Sequence, residues 1–447
     1  MNAQDDLRRA ARSIFDATLA SLDARAAVRR ALDLTGGRLT ILDTEFDLHR
    51  HPLAVYAVAF GKAAGAMASA VDEVLGDALA GGIVSAPSAS VALSARWQVF
   101  AGGHPLPNEA SLEAARAAFA LLRAADAQPN ALVIFLISGG GSAMLEWPRD
   151  ESITLAELRA ANRALVTCGA GIDEINCVRR AFSAVKGGGL GARARRAAQI
   201  SLIISDTRRE QPYNVASGPT YTFPREAHDA SEIVERYQLA ARLPASILRA
   251  LRQPPPLAET THNAMRCHHV LLDNERALAH AAKAAAALGF TVEIAHDVSE
   301  QEVAQGAALL VSRLFDLRGR EGERPVCLIS GGEFSCPVRG AGVGGRNAET
   351  VLRCAFEIEA HAARSTPGAT ASVVALSAGT DGIDGNSPAA GAVCDDTTLA
   401  RARALSLDAR RFLEASDAHS FFAALGDALT TGATGTNVRD LRILLAG

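Results

Sequence analysis

An apolar run, Val133-Ile134-Phe135-Leu136-Ile137, goes straight into Ser138-Gly139-Gly140-Gly141-Ser142. The run reads as a buried β-strand that stops abruptly in a loop made mostly of backbone. Such a loop offers bare N–H groups and small hydroxyls, the donors that hold a phosphate or a carboxylate. The device recurs where Val326-Cys327-Leu328-Ile329-Ser330 runs into Gly331-Gly332-Glu333. Two such loops predict a cleft with two anion-binding lips, and so an enzyme acting on charged small molecules.

The rest of the chain alternates strands with helices. Ala54 to Phe60 reads as a strand, Gly61-Lys62 begins a helix to about Leu75, and Gly82 to Ser85 is a short strand. Asn108 caps a helix over Glu109 to Leu122. Asp5 to Leu34 reads as one helix, with Ile14, Leu19, Leu22 and Val28 near one face. Ile172 to Val185 is helical, and Ile200 to Ile204 is a buried strand ending at Ser205-Asp206. Later strands near Val270, Val292, Val326 and Val373 alternate with helices near Arg276, Glu302 and Glu349. The predicted fold class is α/β: two α/β domains with largely parallel or mixed sheets and an inter-domain active-site cleft. Gln253-Pro254-Pro255-Pro256 reads as the linker, so domains are expected at 1–252 and 257–447, with the chain end packing back on the first.

Composition narrows the function. The chain has 447 residues, 49% hydrophobic and 21% charged, with net charge −4, which gives no nucleic-acid surface. The short basic cluster Arg193, Arg195, Arg196 reads as a solvated helix end. Seven scattered cysteines without a CxxC pair predict neither disulfides nor zinc, and favour a reducing cytoplasm. No apolar run approaches membrane-spanning length, and the polar start reads as no signal peptide.

Several side chains stand where chemistry is expected, each with a plainer alternative. Lys62 can lend its charge to an anion at a helix N-terminus, or be a surface lysine. Arg346, after Gly344-Gly345, can grip an anion with two parallel hydrogen bonds, or simply follow a turn. Asp206, at a strand end, can hold Mg²⁺ or accept a hydroxyl proton, or cap a turn. Asp381 and Asp384 lie in a glycine loop that suits a hydrated divalent ion, with ordinary Asp-Gly turns as the alternative. His104 can be an active-site donor or a loop-packing residue, and the pair His268-His269 reads as structural. Gly340, Gly342 and Gly345 match GxGxxG, but no ribose-binding acid is well placed, so the loop reads as an active-site loop and not a dinucleotide fingerprint. No GxxxxGK[ST] sequence occurs.

Taken in order, many short segments resemble the class II glycerate kinases, which carry a C-terminal MOFRL domain. They are Ala59–Ala63, Gly102–Pro105, Ser138–Ser142, Asp173–Asn176, Val178–Arg180, Lys186–Gly188, Ala216–Thr220, Ser330–Glu333, Gly344–Asn347, Gly379–Gly385 and Thr434–Val438. The resemblance spans nearly the whole chain. It implies ATP- and Mg²⁺-dependent phosphorylation of D-glycerate at its 2-hydroxyl, giving 2-phosphoglycerate, in a cleft between the two domains. It implies Lys62 and Arg346 as essential residues, with Asp206 beside them as the candidate for metal binding or hydroxyl activation. Gly139, Gly140, Gly141, Ser142, Gly344 and Gly345 would surround phosphates. His104, Arg179, Lys186, Asn347 and Glu333 would surround the hydroxy acid, with Asp206 and Asp381 toward the metal. The partners implied are ATP and a small hydroxy acid, with no nucleic acid and no membrane; a homodimer is compatible.

The chain departs from the family pattern in places. The loop 207–214 carries Arg208 and Arg209 where an acidic Gly-Asp-Asp segment is usual. Ala181 stands for a histidine, Gly171 for an aspartate, Ser416-Asp417-Ala418-His419 for an Asn-Asp-Ser-Tyr-like segment and Ala433 for a proline. Arginines in place of acids leave two alternatives open: another hydroxy or sugar acid as acceptor, or a catalytically silent ligand-binding homologue. Some family members carry an older label as hydroxypyruvate reductases, which the weak dinucleotide pattern does not support.

Overall fold

A computed structural model describes residues 3–48, 53–222, 229–253, 264–364 and 372–447. The chain forms two compact units, one of Ala24–Leu271 and one of Met1–Asp23 with Leu272–Gly447. We call them the N-terminal and C-terminal units. This division differs from the expected 1–252 and 257–447; Pro254, Pro255 and Pro256 lie outside the described residues.

The difference begins in the first helix. The single helix expected over Asp5 to Leu34 is two helices, Ala3–Ser21 and Ala24–Ala31, followed by a strand at Leu32–Thr35. The break coincides with the boundary between units. Leu7, Ala11, Ile14 and Phe15 pack with Leu278, Cys327, Ile329 and Ile443 in the C-terminal unit's core. Ala27 and Val28 are buried from the second helix. A helical period runs through both segments, so the periodicity cannot reveal that its two halves serve different cores. The chain end forms a strand inside the C-terminal unit's own sheet, and Gly447 lies against Leu7 of the first helix, a residue of the expected first domain.

The N-terminal unit is built on six strands: β1 (Ala54–Phe60), β2 (Leu79–Ala86), β3 (Trp97–Ala101), β4 (Ala131–Ile137), β5 (Ala198–Ile204) and β6 (Arg266–Leu272). Their order is β3-β2-β1-β4-β5-β6. The pairings β1–β2, β2–β3, β1–β4 and β4–β5 are all parallel. Strand order reverses between β1 and β4, and in such sheets ligands bind beyond the carboxyl ends at that reversal. Phe60 pairs with Ile137, so β1 and β4 end level and their loops emerge side by side. All of β4 is buried. Each buried Leu, Val, Ile or Phe stabilises by about 1.5–3 kcal/mol, which accounts for its unbroken apolar run. The helix Glu109–Ala127 lays Ala114, Ala115, Ala118 and Leu122 into the core containing Val58, Val133 and Phe135. Asn108 starts it with a capping box, accepting from the Ser111 amide at 2.9 Å.

In the C-terminal unit, β7 (Thr291–Ile294), β8 (Val326–Ser330), β9 (Val373–Gly379), β10 (Gly391–Asp395), β11 (Ala428–Leu429) and β12 (Asp440–Ala446) form a second sheet. Its order is β7-β8-β12-β9-β10-β11. Only β7–β8 is parallel; β12 runs antiparallel between β8 and β9. The sheet is therefore mixed.

The first helix is also tied down by charge. Arg8 pairs with Asp395, and its Nη1 donates to Asp427 Oδ1 at 2.8 Å, both acids being only 4% exposed. Replacing Arg8 by Ala leaves these buried carboxylates short of a counter-charge, so the urea midpoint should fall by the equivalent of roughly 3 kcal/mol. An unchanged midpoint would show that this clamp does not hold the helix.

Candidate functional site

The level ends of β1 and β4 are joined by close backbone contacts. The Lys62 amide donates to Gly139 O at 2.8 Å, and the Ala63 amide to Ser138 Oγ at 3.0 Å. Gly61 has φ of +115°, and a Cβ there would collide with the Ser138 carbonyl. No other residue allows both the turn and the approach. Gly140, at φ +81°, lies under two side chains: a Cβ would meet His104 Cδ2 at 2.9 Å and Lys62 Cγ at 3.3 Å. Asp206, from the end of β5, packs its carboxylate against the Cα of Gly139. Lys62, His104, Gly139, Gly140 and Asp206 therefore meet at the strand-order reversal. Lys62 also stands just before the helix Ala64–Leu75, whose positive dipole end adds to its charge.

Behind this cluster runs a polar chain. Ser142 Oγ and Ser217 Oγ are 2.7 Å apart, and Ser217 Oγ donates to Asn176 Oδ1 at 2.9 Å. Arg179 Nε donates to Asn162 Oδ1 at 3.0 Å, and its Nη1 lies 3.4 Å from Asn176 Oδ1. Burial pulls the Arg179 guanidinium below its ordinary value, against the pull of Glu146. Ala216 and Ser217 have φ of +51° and +62°, uncommon for residues with a Cβ.

Lys186 is buried and paired. Its side chain is 1% exposed, pairs with Glu146, and donates from Nζ to Ser142 O at 2.8 Å. Glu146 accepts in turn from Ser183 Oγ at 2.6 Å and from the Trp147 amide at 2.9 Å. Burial lowers the Lys186 pKa, with Glu146 opposing. Lys186 is thus a positioning residue that ties the glycine loop from behind.

The C-terminal unit holds a second charged cluster at the ends of β8, β9 and β12. Arg346 Nε donates to Asp440 Oδ2 at 2.5 Å, and its Nη2 to Glu333 Oε1 at 2.7 Å. Its Nη1 has no partner among the described residues. Burial depresses the guanidinium, but Asp440 and Glu333 outweigh it and hold its pKa above the ordinary value. Asp384 is 1% exposed and caps the helix Arg346–Arg364, accepting from the amides of Asn347 at 2.9 Å and Ala348 at 2.8 Å. Burial, with the charge of Asp440 adding to it, pushes its pKa up to about 6. Arg442, also buried, donates to the carbonyls of Gly331 and Gly332 and lies 3.5 Å from the Phe334 ring centroid. Burial lowers its pKa to about 10.

These contacts correct several expectations. Asn347 is 2% exposed, with its side chain engaged by Asp384, Asp440 and Ser377, which fits a positioning role. Gly344 N donates to Asn386 Oδ1 at 2.8 Å, and Gly345 packs tightly on Asp384. A buried carboxylate, not a phosphate, occupies this helix start. The second lip is likewise satisfied internally: Gly332 N donates to Asn274 Oδ1 at 2.8 Å, and Glu333 meets Arg346. Asp384 is a helix cap. Asp381 accepts from the Ile383 amide at 3.2 Å, a turn contact. Among the described residues, no three His, Cys, Asp or Glu side chains are grouped to hold a metal ion. His268 stacks on Tyr221 at 3.9 Å, in a structural role.

Sequence reasoning missed Glu146, Asp440 and Arg442. The last two left a signal: ionisable residues two apart in the otherwise apolar strand Asp440–Ala446 need buried partners.

A doubly wound sheet with cationic donors at its reversal, joined to a mixed-sheet unit with an oriented arginine, defines a two-unit α/β protein that holds anionic small molecules. Comparisons with known proteins agree. Residues 10–252 match the family described as Domain of unknown function (DUF4147), and residues 326–440 match the MOFRL family. Glycerate kinase of Homo sapiens is 35% identical, with 97% of this chain and 92% of that protein covered. D-glycerate 2-kinase of Thermotoga maritima is 33% identical, with 87% and 90% covered. A crystal structure of glycerate kinase from Thermotoga maritima is similar with a TM-score of 0.80 at 30% identity, covering 99% of this chain and 100% of that one. The chain belongs to the glycerate kinase family that combines DUF4147 and MOFRL domains.

Two outcomes follow from the buried charges. Lys186→Met strands Glu146 without its cation and should destabilise by roughly 3–5 kcal/mol, whereas Lys186→Met with Glu146→Gln should recover much of the loss; equal losses in thermal or urea unfolding would refute the pairing. Asp384 binds its proton more tightly folded than unfolded, so its contribution is present below about pH 4 and lost as pH rises through about 6. Unfolding free energy measured from pH 4 to 7 should lose that decline in Asp384→Asn. An unaltered slope would contradict the assignment.

Proposed function

We propose that the chain transfers the γ-phosphoryl group of ATP to the 2-hydroxyl of D-glycerate, giving 2-phosphoglycerate and ADP. One observation carries this reading: Lys62, His104, Asp206 and the glycine loop gather at the reversal of a doubly wound sheet, in a chain with several near-full-length relatives named glycerate kinase or glycerate 2-kinase. Phosphoryl transfer needs mainly positioning and neutralisation of charge. The hydroxyl oxygen forms a bond to the γ-phosphorus while the bond to the β–γ bridging oxygen breaks. The hydroxyl proton passes to the Asp206 carboxylate. Lys62 and the loop amides neutralise phosphate oxygens, with Gly139, Gly140 and Gly141 admitting the anion close to the backbone. Arg346 is already oriented by Asp440, so its Nη1 is offered at little entropic cost.

Mg²⁺ fits this reading. The ion commonly takes one or two carboxylates plus phosphate oxygens and water, so a cage of three acids is not required. Asp206 is half-buried at the loop and would hold it there, screening phosphate charge, where it does not serve as the base. Asp381, engaged in its turn, is the weaker candidate. Seven free thiols fit a reducing compartment, and among the described residues no helix is long and apolar enough to cross a membrane.

A reductase reading fares worse. A dinucleotide fingerprint joins a strand directly to a helix in a parallel βαβ unit. Here Gly340, Gly342 and Gly345 come after β8 has ended at Ser330, and β8 is antiparallel to its neighbour β12. Gly340 and Gly342 instead pack on Ala415 and Asp417.

With ATP, Mg²⁺ and a panel of hydroxy acids, D-glycerate should be the preferred acceptor and 2-phosphoglycerate the product. Lys62→Ala should lower kcat by about a hundredfold with the fold unchanged. Turnover within a fewfold of the unsubstituted protein, or preference for another acid, would overturn the respective part of the assignment.

A further inference from the structure

Beside the helix Glu109–Ala127 lies a cavity of about 340 Å³. Arg116, Arg123, Arg149 and Arg193 line it, with Phe119 and Trp147 as apolar walls. None of Lys62, His104, Asp206 or the glycine loop reaches it. Phe119 lies eleven residues beyond the Asn108 cap, about 16 Å along the helix axis.

Among the described residues the arginines lack counter-charges. Arg116, Arg123 and Arg193 form no hydrogen bond or ion pair with an acid among the described residues. Glu151, the one acid in the lining, is exposed. Arg149 donates from Nη2 to Ala250 O at 2.6 Å and to Gln253 O at 2.7 Å, while its Nη1 is buried without a partner. Burial pulls both Arg149 and Arg193 below their ordinary values, and the neighbouring charge of Arg123 adds to the effect on Arg193. Arg193, which sequence alone reads as a solvated helix end, lies 4.2 Å from the Phe119 centroid, and Arg116 lies 5.0 Å from that of Trp147. One face of each ring thus carries a guanidinium. The cavity offers a ligand guanidinium N–H groups between these rings.

We propose that this cavity binds a small polyanion, a metabolite bearing two or more phosphate or carboxylate groups, apart from the reacting site. Guanidiniums stay charged across physiological pH and match both groups with paired donors. The inference stands whether or not D-glycerate is the acceptor. The cavity wall is also wired to the glycine loop. The Trp147 amide donates to Glu146 Oε1 at 2.9 Å, and Trp147 O accepts from the Ala184 amide at 2.8 Å. Glu146 pairs with Lys186, which holds Ser142 O. An occupant that shifts Trp147 therefore acts on the loop through one continuous hydrogen-bonded segment.

The test is calorimetric titration of the full-length protein with pyrophosphate and, separately, with citrate, at constant ionic strength. The proposal expects saturable one-site binding of at least one probe, retained in Lys62→Ala and weakened about tenfold or more in Arg123→Ala with Arg193→Ala. The tighter probe tells phosphate from carboxylate recognition. Arg123→Glu alone, at an exposed position, should weaken binding in the same direction should the double variant fold poorly. No saturable binding of either probe, or an affinity lost in Lys62→Ala yet untouched by the arginine substitutions, would overturn it.

Discussion

Two adjacent parallel strands end level, and the backbone of one loop touches the backbone of the other. The ligand end of the N-terminal unit depends on that contact. Lys62 N reaches Gly139 O, and Ala63 N reaches Ser138 Oγ, only because Gly61 adopts φ of +115° and carries no Cβ. The crossing spends loop hydrogen bonds internally, which makes the loops rigid. It also lays the Lys62 stem over Gly140, beside His104. A flexible lysine becomes a positioned charge, and positioning is most of what phosphoryl transfer asks of a protein.

The two units solve the same problem alike. Each has a strand running into glycines, a partly exposed cation in front, and a buried cation behind that grips loop carbonyls. In the N-terminal unit Lys186 holds Ser142 O, and in the C-terminal unit Arg442 holds Gly331 O and Gly332 O. Burying a cation is unfavourable unless its charge and donors are met, which is why Glu146 and Asp440 accompany them. These buried pairs contribute specificity of loop shape more than net stability. Lys62 and Arg346, by contrast, are only half-buried.

Where charge lies without such company, it suggests a second site. Among the described residues the cavity arginines have no buried acid to meet them, unlike Lys186 or Arg346. The contrast inside one unit is informative: the same protein that pairs its structural cations carefully leaves these unpaired.

Local chemistry was readable from the chain. The apolar run before Ser138, the Asn108 cap, and the strand ending at Asp206 all follow from short-range patterns that neighbours in sequence determine. Partnership was not readable. Nothing near Lys186 announces Glu146, forty residues away, and nothing near Arg346 announces Asp440, ninety-four residues away. The first helical stripe looked continuous, although the two units divide it at Asp23. Sequence alone thus determined many of the strands, helices and backbone-rich turns, since those depend on residues a few positions apart. Only the tertiary structure decided which charges are buried and paired and which remain to meet a ligand, since burial and Coulomb interaction depend on distances in space that separation along the chain does not set.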